Sequence, residues 1–476
     1  MLTLEFFIEA TTGSRPDGQT PVANVVIDSR KVEPGGVFFA LKGENTDGHD
    51  YVADAFARGA IAAFIEREVE GCAATVDLSD PVAAQRSTPL QTPICFRVDS
   101  TVLALQEVAR QWVKRFPKVR IIGVTGSVGK STTKEVLAEV LAQRYKVLKS
   151  EGSYNNELGI PLTVLKLDDS YERAVLEMSM YTIGEINLLT SIAPPQVGVV
   201  TLIAPVHLER AGTLENIVRA KTELVEPLPP PPDGFAILNL DDPLVMKMAD
   251  HTQAQIVTYG LNPNADFWAS DIEGLGLEGI RFWLHNGETR NQLRLPMLGQ
   301  HSVHTALRAA AVGRVEGLNW DEIFAGLQSN RSQLRLLAVK GPNGSVILDD
   351  TYNASPSSTI AALNLLNDLM EGRRIAVLGD MLELGGYEVV GHSRVGIRAA
   401  AVCDLLITVG ERGRIIAREA HRAGLPADSI AILDTAEEAT ALVRKLVQPG
   451  DSILVKGSRA LHMEQIVADL SAGVTQ

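Results

Sequence analysis

The sequence predicts an α/β protein of three modules, each a mostly parallel sheet covered by helices. Three observations carry that reading. The chain has 476 residues, and at roughly 150 residues per domain this length corresponds to about three domains. Short β-branched runs alternate with helical intervals, the pattern of strands joined by crossover helices. With 45% hydrophobic and 21% charged residues, the chain can bury real cores, which excludes disorder for its bulk. No repeat of fixed period is visible, so a solenoid is not expected.

The first module spans 1–99. Apolar runs at 25–27 and 37–41 flank the turn Pro34-Gly35-Gly36, a helical pattern covers 51–58, and another strand covers 60–65. The Pro-, Gln- and Thr-rich stretch 80–93 reads as a loop. The second module, 100–330, opens with an amphipathic helix over 101–116 that Asp99-Ser100 can cap. A β-branched strand at 119–125 leads through a Gly-containing turn into a helix at 131–141, and strands follow at 174–178, 197–202 and 235–240. The tetraproline 229–232 reads as a stiff surface spacer. The third module, 331–476, places strands at 346–350, 374–378, 405–409 and 452–455 with helices between them.

Composition narrows the function classes. There are 44 Lys+Arg against 58 Asp+Glu, a net charge of −14. That balance argues against coating nucleic acid, which takes a broadly basic surface, while a small anion can still bind in a locally basic pocket. Cys72, Cys95 and Cys403 are scattered without CxxC spacing, so neither a disulfide framework nor structural zinc is expected, and a reducing compartment is the natural reading. The start, MLTLEFFIEA, carries Glu5 and Glu9 and has no basic segment before a long apolar core, unlike a signal peptide. The longest apolar stretch, near 197–206, is far shorter than the ~20 residues of a membrane helix. A soluble, cytoplasmic monomer without membrane insertion is expected.

The strongest local signal is Thr125-Gly126-Ser127-Val128-Gly129-Lys130-Ser131-Thr132, placed between a strand and a helix as a phosphate-binding loop requires. Glycines let the backbone wrap closely, and its N–H groups with the helix N-terminus point at anionic oxygens. Lys130 can neutralise β- and γ-phosphate charge, and the Ser131 hydroxyl can ligate Mg²⁺. The ordinary pattern would put Gly at position 124, where this chain has Val124, so the loop is the variant TGxxGK(S/T). Residues 101–150 hold ten Lys/Arg and three Asp/Glu, a local +7 in an acidic chain. ATP or a close relative is the expected ligand.

Phosphate loops drive many chemistries, and four further segments choose among them. These are Tyr154-Asn155-Asn156-Glu157-Leu158-Gly159-Ile160-Pro161, Leu348-Asp349-Asp350-Thr351-Tyr352-Asn353-Ala354-Ser355-Pro356, Leu378-Gly379-Asp380-Met381-Leu382-Glu383-Leu384-Gly385 and Lys456-Gly457-Ser458-Arg459. Together with the loop variant, and in this order, they resemble the Mur ligases of peptidoglycan synthesis from Asp28 to Met463. No DNPR-type motif for a diamino acid is found, which favours the branch of that family that adds a dipeptide. Folylpolyglutamate synthetases share the central fold but are not expected to show the N-terminal uridine-nucleotide module.

The resemblance implies a UDP-sugar-binding domain over 1–99, a central P-loop ATPase domain over 100–330 and a Rossmann-like C-terminal domain over 331–476. It implies an ATP-dependent ligase that forms an amide bond between a UDP-N-acetylmuramoyl-tripeptide and D-alanyl-D-alanine through an acyl phosphate, releasing ADP and phosphate. Such a reaction must hold two anions within reacting distance, so cations and positioning supply most of the catalysis.

Site residues follow from the same resemblance. Glu177 ends an apolar run, as suits a carboxylate at the C-terminal edge of a parallel sheet, and with His207 it is expected to hold a second Mg²⁺. Lys221, an exposed helix charge by composition alone, matches a carbamylated lysine whose anionic group helps bind magnesium. Lys130, Glu177, His207 and Lys221 are thus the expected catalytic set, and Ser131 joins the last three as metal ligands. Asn239, Asp241, Asp242, His301, Arg335 and Asp350 are expected at the nucleotide. In Gly299-Gln300-His301-Ser302-Val303-His304, which matches a segment more often reading GxHNxxNxxAA, Ser302 and His304 are taken to stand for the asparagines and can hydrogen-bond an adenine edge. Ser29, Arg30, Gly43, Asp47 and His49 match a UDP-sugar cradle. Asn155 and Asn156 can orient phosphate or substrate carboxylate, Tyr352 and Asn353 are expected to orient substrate or nucleotide, and Lys456, Ser458 and Arg459 are expected at the dipeptide carboxylate. Ligands drawn from three modules imply domain closure on turnover. The rival class, a phosphate-loop switch or assembly ATPase, would hydrolyse ATP without an amine acceptor, and a dead scaffold would not keep Lys130, Glu177 and His207.

Overall fold

Residues 1–43, 46–72, 74–80, 90–329, 337–369 and 372–471 are described by the computed structural model, whose chain divides into two units. One holds 1–123, 145–179 and 185–196, and the other holds 124–144, 180–184 and 197–476. The expected boundary at 330/331 and most of the loop at 80–93 lie outside the described residues.

In the first unit, β1 (Val25–Val26), β2 (Val37–Phe39), β3 (Ala62–Ile65), β4 (Thr75–Asp77) and β5 (Ile94–Arg97) form a parallel sheet in the order β1-β2-β3-β5-β4. The central strands are almost wholly apolar, as burial on both faces demands. Phe39 and Phe64 stack with centroids 4.3 Å apart, and Phe7 and Phe96 pack around Phe64 at 5.7 and 5.3 Å. Phe7 comes from the helix Leu4–Thr12, which Thr3 caps and Gly13 ends at a φ of 73°. The register opposes Thr75 to Cys95, so Cys72, just before β4, meets Cys95 in a disulfide with Cα atoms 6.3 Å apart. This single crosslink is one that the scattered cysteine spacing does not predict, because only strand pairing brings the two together. Cys403 is free and buried.

The helix Thr101–Val113 begins at Ser100, whose side chain accepts from Leu103 N, as expected. β6 (Arg120–Thr125) passes from the first unit into the second. β7 (Val147–Lys149) and β8 (Arg173–Glu177) pair in parallel within the first.

The second unit contains two sets of strands. β9 (Val197–Val200), β10 (Phe235–Asn239), β11 (Gln255–Gly260) and β12 (Phe267–Gly274) run parallel, and β13 (Ile280–Asn286) and β14 (Thr289–Leu295) extend them as an antiparallel meander. The tetraproline forms a largely exposed turn ahead of β10. β15 (Leu337–Lys340), β16 (Val346–Asp349), β17 (Arg374–Gly379), β18 (Leu405–Val409), β19 (Ile430–Leu433) and β20 (Ser452–Lys456) form a second sheet in the order β15-β16-β20-β17-β18-β19. Its strands are parallel except β15 against β16. That order sets the C-terminal ends of β16, β20 and β17 side by side, where open α/β sheets place their ligands. No helix among the described residues is long and apolar enough to cross a membrane.

Phe64 is fully buried at the centre of its ring cluster. Phe64→Ala is therefore expected to destabilise the first unit by about 3–5 kcal/mol, read as a lower denaturant midpoint.

Candidate nucleotide and ligase site

The turn after β6 is shaped by two glycines, Gly126 at φ 141° and Gly129 at φ 85°. At Gly126 the backbone lies so close to the strand end after β9 that an added Cβ would overlap Thr201 Oγ1. Thr201 returns the contact, donating from Oγ1 to Val128 O at 2.7 Å and from N to Thr125 O at 3.0 Å. Ser127 is held twice by Ala204, its Oγ accepting from Ala204 N and donating to Ala204 O, both at 2.9 Å. The loop is thus preformed by the chain's own hydrogen bonds.

The helix Lys130–Leu141 starts at Gly129 with no side-chain cap, which leaves its first amides to an anion. Lys130 curls over the turn, with Nζ donating to Gly126 O at 2.8 Å. Thr125 Oγ1 is buried without a hydrogen-bond partner, a state that costs about 1–3 kcal/mol when unrelieved. A glycine cradle, an uncapped helix start, a lysine and an orphaned hydroxyl together fit the phosphates of a nucleotide.

Lys221 and His207 belong to the same unit. Lys221, on the helix Leu214–Thr222, is only 1% exposed. Burial, then the charge of Lys130, push its amine well below the ordinary lysine range. It is not the exposed charge that composition suggests, because the helix turns this position inward. His207 has a left-handed φ of 55°, and its Nδ1 contacts Glu383 Oε2 at 2.5 Å. Glu383 itself sits at φ 62°. Burial lowers the His207 pKa against the pull of Glu383, and Lys130 and Lys221 push it the same way as burial. A neutral ring donating from Nδ1 keeps its Nε2 lone pair for another partner.

Glu177 ends β8 in the other unit and is 2% exposed. Its Oε1 accepts from Asn155 Nδ2 at 2.9 Å, and its N donates to Ser150 Oγ at 3.1 Å. Asn156 instead supports the fold, with Oδ1 accepting from Gly159 N at 3.0 Å where the helix Gly159–Val164 starts.

The expected nucleotide residues brace the loop. Asn239 Nδ2 donates to Thr201 O at 3.2 Å. Asp242 accepts from Ile203 N at 2.7 Å and from Leu244 N at 2.9 Å. Asp241 accepts from Leu261 N at 2.6 Å and pairs with His304 Nε2 at 2.8 Å. Ser302 Oγ donates to Leu298 O at 2.7 Å, within its own helix. By the spacing of the motif the second asparagine falls at Thr305, not His304, and Thr305 Oγ1 accepts from Arg308 Nη2 at 2.6 Å. His301 lies within electrostatic reach of Lys456 and Arg308. Arg335 lies outside the described residues.

At the ends of β16 and β20, Lys456 is buried and donates to Asp350 Oδ2 at 2.6 Å and Asn353 O at 2.8 Å. Ser458 Oγ accepts from Leu382 N at 2.9 Å. Arg459 is exposed, its guanidinium 5.8 Å from the centre of the half-exposed Tyr352 ring. In the first unit, Arg30 grips Asp28 through two bonds of 2.9 and 2.8 Å, and Ser29 hydrogen-bonds Asp54. Gly43 N donates to Thr46 O at 2.9 Å. His49 is buried, its Nδ1 on Asp47 at 2.6 Å and its Nε2 accepting from Glu66 N at 2.8 Å. The His49 backbone N–H, then the His49 ring and Arg67, hold Asp47 well below the usual carboxylate range.

Family models match three stretches of the chain. These are the Mur ligase family catalytic domain over 21–90, the Mur ligase middle domain over 124–313 and the Mur ligase glutamate ligase domain over 334–459. The chain belongs to the Mur ligase family. Its three-domain α/β architecture is that of the Mur ligases. Among similar curated proteins, the UDP-N-acetylmuramoyl-tripeptide–D-alanyl-D-alanine ligase of Synechocystis sp. is 36% identical over 95% of this chain and 92% of its own length. That of Bacillus subtilis is 34% identical over 97% and 96%. The Escherichia coli protein is 32% identical over 100% and 99%. Among solved structures, MurF from Acinetobacter baumannii matches with a TM-score of 0.84 at 29% identity, covering 99% of both chains. MurF from Thermotoga maritima in complex with ADP matches at 0.77 and 26% identity, covering 95% of this chain and 97% of that one.

Three residues that lie against the phosphate loop or His207 are not predicted by the sequence. Thr201 is a small polar residue one position beyond a strand. Glu383 lies inside a matched segment but carries no motif role. Arg308 is a single charge in an Ala-rich helical run, and that isolation is the one signal that could have found it.

Gly126→Ala forces the loop off Thr201. Overpacking strain of about 1–3 kcal/mol corresponds to roughly 5- to 150-fold weaker binding, and ADP affinity measured by calorimetry is expected to fall within that range.

Proposed function

We propose that this chain joins the carboxylate of a UDP-N-acetylmuramoyl-tripeptide to the amine of D-alanyl-D-alanine, using ATP and releasing ADP and phosphate. The observation that carries this reading is the preformed phosphate loop clamped on Thr201 under Lys130. It occurs in a chain that aligns over 95–100% of its length with relatives bearing that ligase name.

The residues divide the work as follows. The loop amides and Lys130 receive the β- and γ-phosphates once Lys130 leaves Gly126 O. A carboxylate oxygen of the tripeptide attacks the γ-phosphorus, forming a C–O–P linkage as ADP leaves. The neutral dipeptide amine then attacks the acyl carbon, its nitrogen gives up a proton to solvent, and inorganic phosphate departs from the tetrahedral intermediate as the C–O bond breaks. Fixed cations stabilise the charge that builds up at each stage.

Within one unit, Ser131, His207 and Lys221 would hold magnesium, which would neutralise phosphate oxygens when bound, and Glu177 is assigned to a metal by the family resemblance alone. Among the described residues no group of three or more His, Cys, Asp or Glu gathers as a metal site. A hydroxyl, an imidazole and an amine make a weak magnesium set, and a carbamate on Lys221 would add the anionic oxygens that set lacks. Burial favours the neutral amine of Lys221, the form whose nitrogen adds to the carbon of CO₂, loses a proton and becomes a carbamate anion. In the C-terminal part, Arg459 is the exposed cation for the dipeptide carboxylate, while Lys456 orders the Asp350–Asn353 turn beneath it. Ser29, Arg30 and the Gly43–His49 loop are assigned to the UDP-sugar, in domains bounded as 1–99, 100–330 and 331–476. A monomer in the cytoplasm completes the reading.

Purified protein is expected to release ADP only when ATP, the UDP-tripeptide and D-alanyl-D-alanine are all present, with a product whose mass is that of the two joined substrates less one water. ATP hydrolysis that ignores the amine would overturn the assignment. Lys130→Ala should lose most of this activity. Intact-mass measurement in bicarbonate should show one CO₂ added to the wild type but not to Lys221→Ala, and equal masses would remove carbamylation from the account.

A further inference from the structure

Arg308 lies on the helix Ser302–Val315, in the otherwise apolar run Ala306-Leu307-Arg308-Ala309-Ala310-Ala311. It is 4% exposed. Its three hydrogen bonds all go to neutral oxygens: Nε to Thr133 Oγ1 at 2.8 Å, Nη1 to Tyr259 OH at 3.2 Å and Nη2 to Thr305 Oγ1 at 2.6 Å. Among the described residues no carboxylate pairs with it. Asp241 and Asp242, which act on the neighbouring Tyr259, spend their oxygens on backbone N–H groups and on His304. His301 and His304, the other titratable groups within electrostatic reach, add no negative charge. A buried guanidinium without an acid is a standing cost to the fold, so its retention asks for a reason.

Two of the three bonds lead to the phosphate loop. Thr133 Oγ1, which accepts from Arg308, donates to Gly129 O at 2.6 Å. Tyr259 OH, which also accepts from Arg308, lies 2.9 Å from both Val200 O and Thr201 O, and Thr201 holds Val128 O. The guanidinium also lies beside the loop, since Nη2 stands 3.4 Å from where a Cβ on Gly129 would be.

We propose that Arg308 is a positioning residue for the nucleotide phosphates. From behind the loop it holds Val128 and Gly129 so that their amides face the ligand, and its uncompensated charge finds its counter-ion in the phosphates of ATP. The proposal rests on the nucleotide reading of the loop. It differs from a packing role in one respect: a packing arginine stabilises the empty protein, whereas this one stabilises the loaded protein at the expense of the empty one.

The test compares Arg308→Met and Arg308→Lys with wild type, using calorimetric ADP affinity, KM for each substrate, kcat and the melting temperature without nucleotide. Arg308→Met keeps the stem and removes the charge. It is expected to melt no lower than wild type when empty, to bind ADP about tenfold more weakly and to raise KM for ATP, with KM for the UDP-tripeptide and the dipeptide unchanged. Arg308→Lys restores the charge and is expected to recover most of the ADP affinity. Wild-type ADP affinity in Arg308→Met would overturn the proposal. So would a drop in melting temperature with KM raised for all three substrates. If Arg308→Met does not fold, Arg308→Lys decides, since a loss of ADP affinity in that folded variant removes the charge argument. A wild-type chain that binds no ADP would sink the nucleotide reading itself, independently of Arg308.

Discussion

The arrangement of the site depends on one close approach, that of the Gly126 backbone to Thr201. A side chain at 126 would have to occupy the space of the Thr201 hydroxyl, so the turn can lie against the end of β9 only as glycine. Once it does, Thr201 takes Val128 O and Ser127 locks onto Ala204. The segment that carries these contacts continues within three residues to His207. Phosphate loop and His207 loop are therefore one structure, and Asp242, by accepting from Ile203 N, braces it from the far side. This gives Asn239 and Asp242 a physical role as supports for the loop, whatever they touch when nucleotide is bound.

Among the described residues, the second unit buries four cations in a chain whose net charge is −14, and each is accommodated differently. Lys134 pairs with its neighbour Glu135. Lys456 is matched by Asp350 and the Asn353 carbonyl. Lys221 is driven towards its neutral form by burial. Arg308 stays charged, because a guanidinium does not shed its proton in proteins, and it has only neutral acceptors. Net charge alone cannot separate these cases. They follow from which positions face inward and from what lies opposite them there.

Local patterns made much of this legible. The β-branched run before the phosphate loop, the helix cap at Ser100 and the strands carrying Glu177 and Asp350 all appear where short-range preferences put them, with ends shifted by one or two residues as fraying allows. The meander of β12–β14 is not among the strands the sequence predicts, although Ile280-Arg281-Phe282-Trp283-Leu284 alternates buried and more exposed positions. Its long neighbours in a parallel series masked that period. The disulfide and the pairings of Asp350 with Lys456 and Glu383 with His207 join residues far apart in the chain. No local spacing encodes such contacts, and only the order of the strands creates them.

The His207–Glu383 contact joins positions 176 residues apart, each on a left-handed backbone that a β-branched residue would resist. Neither partner can drift alone. A change at 207 returns the Glu383 carboxylate to solvent, and a change at 383 frees the imidazole to rotate and to exchange which nitrogen holds the proton. The contact therefore ties two segments that the sequence keeps far apart, so that a substitution at either residue is felt at the other.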